Sequence, residues 1–185
     1  MNMRLLFMGT PDFAVPSLRA LYAAGHNIAG VVTQPDRPGG RGKKIRYSPV
    51  KQAALDMSLT VWQPEKIKNS DVTGLIKDIN PDVIIVVAFG QILSPEILSI
   101  PSRGCINLHA SLLPRYRGAA PIHRAVINGE QETGVTTMLM DRGLDTGDML
   151  LSAGTPITEE DSVGTVHDRL SLLGADLLVT TISLL

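Results

Sequence analysis

The sequence predicts an α/β fold, an open and mostly parallel twisted sheet with helices on both faces. Three observations carry this. Short apolar runs alternate with helix-patterned segments from the first residues onward. Strand, helix and strand follow one another within about 30 residues, the length of a right-handed βαβ unit. The run Val83-Ile84-Ile85-Val86-Val87-Ala88 is apolar without polar alternation, so both of its faces must be covered, as in a central parallel strand.

Composition sets the bounds. A chain of 185 residues suits one domain with a sizeable core. With 44% hydrophobic and 19% charged residues it is neither disordered, collagenous nor a coiled coil. The formal net charge of −1 gives no global attraction to nucleic acid, so any polyanion contact must come from a local cluster. Cys105 is the single cysteine, which excludes an internal disulfide and a Cys-rich zinc site and fits a reducing compartment. Near the start, Gly9-Thr10-Pro11-Asp12 interrupts the apolar residues that a signal peptide would need. No run approaches the roughly 20 apolar residues of a membrane span. A cytoplasmic monomer is expected.

Residues 4–8 form the first short buried strand, ending at Gly9. Thr10 is expected to cap a helix with Pro11 at its first position and Leu18, Leu21 and Tyr22 at helical spacing, stopped by Gly25. Gly9 stands without a G-x-G-x-x-G pattern, so the dinucleotide fingerprint is absent. A second strand covers residues 28–33.

From Gln34 to Tyr47 the pattern breaks into a mobile cationic loop with two prolines, three glycines and the five basic residues Arg37, Arg41, Lys43, Lys44 and Arg46. Such a run serves either as a solvated linker or as a phosphate contact. Its place after the carboxyl end of a parallel strand favours contact with a ligand.

A helix over 49–57, a strand over 60–62 and a helix over 71–79 follow, the last with Val72, Leu75, Ile76 and Ile79 on one face. Trp62 reads as core or rim packing. After the central strand, Phe89-Gly90-Gln91-Ile92-Leu93 offers a glycine for close backbone approach and apolar side chains for a slot. A loop helix over 95–98 precedes the strand that begins at Gly104. Helix 119–127, strands 134–140 and 148–153, and a closing amphipathic helix over 165–185 complete the chain. The sequence is still apolar at Leu184-Leu185, which suggests a truncated chain.

The chemistry concentrates at the strand ending in Asn107-Leu108-His109. Alternate strand residues share a face, so Asn107 and His109 project together while Ile106 and Leu108 pack on the other side. His26, His123 and His167 fall in a turn and in helices, where structural or solvent-facing roles are common. A carboxylate from the 141–148 loop, Asp145 or Asp141, is placed to orient His109. That loop does not match EF-hand spacing, and one histidine without cysteine is thin for zinc, so no metal is expected. An amide donor and an imidazole can stabilise an oxyanion and move a proton, which suits transfer of an acyl-like group between two bound substrates. Ser111 lacks the G-x-S-x-G elbow of a hydrolase nucleophile.

Several motifs in order then resemble one family: Asn107-x-His109-x-Ser111-Leu112-Leu113-Pro114, Gly118, Asp145, Gly9-Thr10-Pro11-Asp12-Phe13, Thr33-Gln34-Pro35-Asp36-Arg37-Pro38 and Gly143-Leu144-Asp145-Thr146-Gly147-Asp148. They are similar to the signature of the 10-formyltetrahydrofolate-dependent formyltransferases, nearest to those whose acceptor is methionine esterified to initiator tRNA. The resemblance implies a Rossmann-like catalytic domain over 1–185, followed in the family by a carboxyl-terminal β-barrel that this chain lacks. It implies that Asn107 and His109 polarise the formyl oxygen and that Asp145 positions His109 and assists proton transfer. It implies folate contacts at Ser111, Leu112, Leu113 and Pro114 and a pterin pocket wall at Phe89, Gly90, Gln91, Ile92, Leu93, Asp141 and Leu144. The loop from Asp36 to Arg46 would approach the tRNA acceptor end. Rival readings are a formyltransferase acting on a small nucleotide or sugar-nucleotide amine, and a folate- or RNA-binding module without turnover.

Overall fold

The computed structural model describes residues 3–39 and 44–185. Strands β1 (Arg4–Gly9), β2 (Asn27–Val32), β5 (Val61–Trp62), β6 (Val83–Val87) and β7 (Cys105–His109) are parallel. β8 (Glu132–Leu139) runs antiparallel to β7, and β9 (Met149–Pro156) antiparallel to β8. The sheet has seven strands in the order β5-β2-β1-β6-β7-β8-β9. The apolar run at 83–87 is flanked on both sides and fully buried, as its unbroken hydrophobicity requires.

Side-chain alternation sorts the core into two layers. Leu5, Phe7, Val83, Ile85, Val87, Ile106 and Leu108 pack against α1 (Val15–Ala23), α2 (Pro49–Asp56), α5 (Pro121–Ile127) and α6 (Val163–Ser183). Leu6, Met8, Ile84, Val86 and Cys105 face α3 (Ser70–Ile79) and α4 (Pro95–Leu98). Each large apolar side chain buried here contributes about 1.5–3 kcal/mol, and the two layers together cover the sheet. Gly30 is where β2 meets Trp62, since a Cβ there would stand 1.9 Å from the indole ring. Burial pushes the Cys105 thiol up to about 12, so it remains protonated and inert.

Four expectations are corrected. Thr10 caps no helix. A 3-10 turn covers Asp12–Ala14 and α1 starts only at Val15, because the Thr10 hydroxyl is spent donating to the Phe89 carbonyl (3.1 Å). The segment 34–47 is not simply loop. β3 (Arg37–Gly39) and β4 (Lys44–Arg46) pair antiparallel as a separate ribbon, with Pro38 opposite Ile45. The fifth helix begins at Pro121, two residues later than expected, because Ala120 takes a left-handed conformation. The last helix begins at Val163, where Ser162 and Thr165 cap each other reciprocally.

Candidate active site

β7 delivers the two polar groups. Its pairing with β6 runs from Cys105 to Asn107, and β6 then turns away through Ala88, whose φ is 47°. Beyond that register β7 keeps β8 on one side, with His109 opposite Thr136, and has no β6 residue paired on the other. Asn107 and His109 continue the face of Cys105, while Ile106 and Leu108 bury into the other layer. A polar pair thus emerges at the carboxyl edge of the sheet, where open α/β sheets bind ligands.

The carboxylate comes from the turn between β8 and β9. Asp141 Oδ1 accepts from the Gly143 N–H (2.9 Å) and the Thr146 hydroxyl (2.8 Å), closing that turn on itself. Asp145 adopts φ 53° within it. Of the two aspartates proposed to orient the histidine, Asp145 reaches it, with Oδ2 lying 3.5 Å from His109 Nδ1 and Oδ1 accepting from Asn107 Nδ2 at 3.4 Å. Asp141 instead holds the loop in shape.

A second loop closes over both partners. The cis Leu113–Pro114 peptide and left-handed Tyr116 and Gly118 turn the chain back onto β7. The Tyr116 carbonyl lies 2.9 Å from His109 Nε2, and since a carbonyl can only accept, that nitrogen donates. The Gly118 N–H donates to Asp145 Oδ2 at 2.8 Å. His109 and Asp145 side chains are only 8% and 15% exposed, so these contacts operate with little competition from water. The short bonds anchor the outer sides of the pair. The longer ones, at 3.4 and 3.5 Å, join Asn107, His109 and Asp145 to one another and are free to exchange for a substrate atom.

The other predicted residues take distinct places. Ser111 is fully buried and its hydroxyl donates to the Arg115 carbonyl (2.6 Å), so it braces the loop from inside. Its carbonyl accepts from Thr136 on β8, whose hydroxyl also accepts from the Leu113 N–H. Sequence reasoning gives Thr136 no role of its own, although the stretch Thr133-Gly134-Val135-Thr136 also resembles the family. Leu112 and Leu113 are half-buried and Pro114 exposed. Phe89 and Leu93 are buried in the second core layer, whereas Ile92 and Leu144 are 72% and 66% exposed. Gly90 has φ 84°, and Gln91 is tied to the neighbouring segment by accepting from the Ile67 N–H at 2.7 Å.

The basic ribbon borders a cleft that Phe89 and Gly90 also line. Arg37 and Arg46 face each other across β3 and β4. With Thr10, Gln34, Tyr47 and Ser48 they line a cleft of about 530 Å³ above the ends of β1 and β2. At the ribbon's base Asp36 accepts from Lys51 Nζ (2.5 Å) and Gln63 Nε2 (2.8 Å), and these bonds hold its carboxyl below the usual range, Lys51 most strongly. Arg41 and Lys43 lie outside the described residues. Among the described residues, no group of three or more His, Cys, Asp or Glu side chains is placed to hold a metal ion, and no helix is long and apolar enough to cross a membrane.

Comparison with known proteins is consistent along the whole chain. The family model described as formyl transferase matches residues 1–182. A methionyl-tRNA formyltransferase of Pelotomaculum thermopropionicum is 65% identical over 182 residues, covering 98% of this chain and 58% of the relative. That of Moorella thermoacetica is 61% identical over 183 residues, covering 99% and 59%. The chain therefore spans under two thirds of these relatives. Among solved structures, a phosphoribosylglycinamide formyltransferase from Bacillus halodurans superposes with a TM-score of 0.81 at 21% identity, covering 98% of this chain and 94% of that one, which is a likeness of fold.

Proposed function

The chain belongs to the formyl transferase family, and from that premise we propose that residues 1–185 are the catalytic domain of an enzyme that moves the formyl group of 10-formyltetrahydrofolate to the amino group of methionine on initiator tRNA, acting as a cytoplasmic monomer. The observation that carries this reading is the convergence of Asn107, His109 and Asp145 at the carboxyl edge of the sheet.

In this mechanism the formyl oxygen takes the donors that Asp145 holds loosely, Asn107 Nδ2 and, with His109 as the imidazolium whose Nε2 donates to Tyr116, His109 Nδ1. As the amine nitrogen bonds to the formyl carbon, the carbonyl electron pair moves onto that oxygen, and the two donors stabilise the charge. Collapse breaks the bond from carbon to the folate nitrogen. One proton leaves the new amide nitrogen and one arrives on the folate nitrogen, with Asp145 as the relay beside His109. Folate contacts are assigned to Ser111, Leu112, Leu113 and Pro114 and to Phe89, Gly90, Gln91, Ile92, Leu93, Asp141 and Leu144. For Phe89 and Leu93, whose side chains are buried, the groups offered are mainly backbone. The cleft between Arg37 and Arg46 would receive the acceptor end of the tRNA, with Arg41, Lys43 and Lys44 adding phosphate contacts.

The test offers this chain 10-formyltetrahydrofolate with methionyl-tRNA, a ribonucleotide amine and an amino-sugar nucleotide in parallel. Formyl-methionyl-tRNA as the main product is expected. Folate binding with formylation of another amine, or of none at high enzyme concentration, overturns the reading.

A further inference from the structure

The loop that supplies the Tyr116 carbonyl to His109 is itself held from outside, by residues 128–130 beyond α5. The Tyr116 hydroxyl donates to Glu130 Oε1 (2.5 Å) and accepts from Asn128 Nδ2 (3.0 Å). The Arg115 guanidinium donates to the same Glu130 oxygen. Arg115 and Arg124 lie 5.7 and 5.5 Å from the Tyr116 ring, and Arg124 also donates to the Arg117 carbonyl (2.6 Å). Tyrosine hydroxyl and guanidinium together hold the Glu130 carboxyl below its usual range.

This amount of support has a reason in the backbone. Tyr116 sits at φ 57°, a region that an aromatic L-residue adopts only when its surroundings over-determine it. Without the anchor at the ring's far end, the cheaper conformation is a right-handed or extended one, which would swing the Tyr116 carbonyl away from His109. The Gly118 N–H, two residues on, would leave Asp145 with it. One residue therefore spans from an external carboxylate, at its side-chain hydroxyl, to the candidate catalytic histidine, at its backbone carbonyl.

We propose that Glu130 and Tyr116 are positioning residues for the formyl-transfer reaction: Glu130, outside the site, fixes the strained Tyr116 whose carbonyl sets the orientation of the His109 ring. The inference rests on the proposed formyltransferase reading, but part of its test does not require turnover. Supporting groups of this kind alter rates by about 10- to 100-fold when removed, and a misplaced catalytic group of about 1 Å has a comparable effect.

The experiment uses Glu130→Gln and Tyr116→Phe in this chain, with two readouts. Nitrogen-15 spectra of the four histidines, assigned with a His109→Gln reference, report the hydrogen bond at His109 Nε2. Steady-state formylation separates kcat from KM. Expected are a displaced His109 Nε2 resonance in both variants and a kcat lower by about tenfold, with KM for folate and acceptor nearly unchanged. An unmoved His109 resonance overturns the proposal, even if the variants melt earlier. So does a rise in KM at constant kcat. If the wild-type chain transfers no formyl group, the reaction reading fails while the His109 resonance still decides whether Glu130 orients the ring.

Discussion

The site at the end of β7 and the ribbon of β3 and β4 are both built from polar residues at the carboxyl edge of one sheet, yet they are constructed in opposite ways. At the site, His109 and Asp145 are nearly buried, and each has a backbone group at 2.9 Å or less fixing its outer side. On the ribbon, Arg37 is 73% exposed and the carboxylate beside it, Glu65, is 3.9 Å away and equally exposed. Three residue pairs make up the ladder, and Asp36 helps to tie its base to the domain. The contrast fits what each is proposed to recognise. A developing charge on one oxygen is stabilised only by donors already in place, whereas a phosphate backbone is met by cations that keep their reach and exchange counterions.

The largest effect that would break this comparison is at the site. His109→Ala is expected to lower kcat by about 10²- to 10⁴-fold with folate affinity almost unchanged, read from single-turnover formylation beside a folate titration. Asn107→Ala should cost about 10²- to 10³-fold as an oxyanion donor, and Asp145→Ala should likewise lower turnover and spare binding. Equal losses of binding and rate would make the triad a binding feature.

Gly147→Ala tests whether placement, rather than presence, matters. A Cβ at Gly147 would stand 1.8 Å from the Leu139 carbonyl oxygen and 3.2 Å from the Asp141 nitrogen, so the turn carrying Asp145 must shift. With every functional side chain retained, kcat should fall by about 10- to 100-fold. Unchanged kcat in a folded variant would show that the site tolerates displacement as the ribbon is expected to.

The ribbon should respond in salt dependence instead. Neutralising Arg41, Lys43 and Lys44 should weaken tRNA binding and reduce the slope of log K against log salt by about 0.7–0.9 for each lost phosphate contact, leaving single-turnover rates at saturating tRNA near wild type. An unaltered slope would make the ribbon a solvated linker.

The smallest effect concerns the ribbon's base. Asp36 has its folded-state carboxyl lowered by Lys51 and Gln63. Its contribution is therefore present above the unfolded carboxylate value of about 3.9 and is lost as pH falls below it toward the folded value. Thermal melts from pH 7 down to pH 2 should show a shallower acid limb for Asp36→Asn than for wild type. Coincident limbs would mean that the anchor holds nothing.

Much of the site was legible in the sequence because strand alternation is a local rule. Asn107 and His109 share a face wherever residues 105–109 form a strand, and Ile106 and Leu108 required the opposite face to be core. Between Asp141 and Asp145 the residue pattern offered no choice and only the family resemblance pointed to Asp145, since which carboxylate reaches His109 depends on how the 141–148 turn folds on itself. The Thr10 hydroxyl was misread for a similar reason: its partner, Phe89, is 79 residues away, just past the end of β6. The ribbon was hidden by its prolines and glycines, which signal turns but do not forbid a short two-stranded ladder with no third strand to satisfy.

Taken alone, then, the sequence determined the layered α/β architecture, the central strand, the face that carries the polar pair and the family signature, because each follows from periodicity or from residues adjacent in the chain. Only the tertiary structure showed how the turn brings Asp145 to His109, that the Tyr116 carbonyl and Gly118 N–H brace the pair, and that Asp36 ties the ribbon to Lys51 and Gln63. Those contacts join residues 7 to 36 positions apart through turns in left-handed or tightly closed conformations, whose geometry is set by what packs around them.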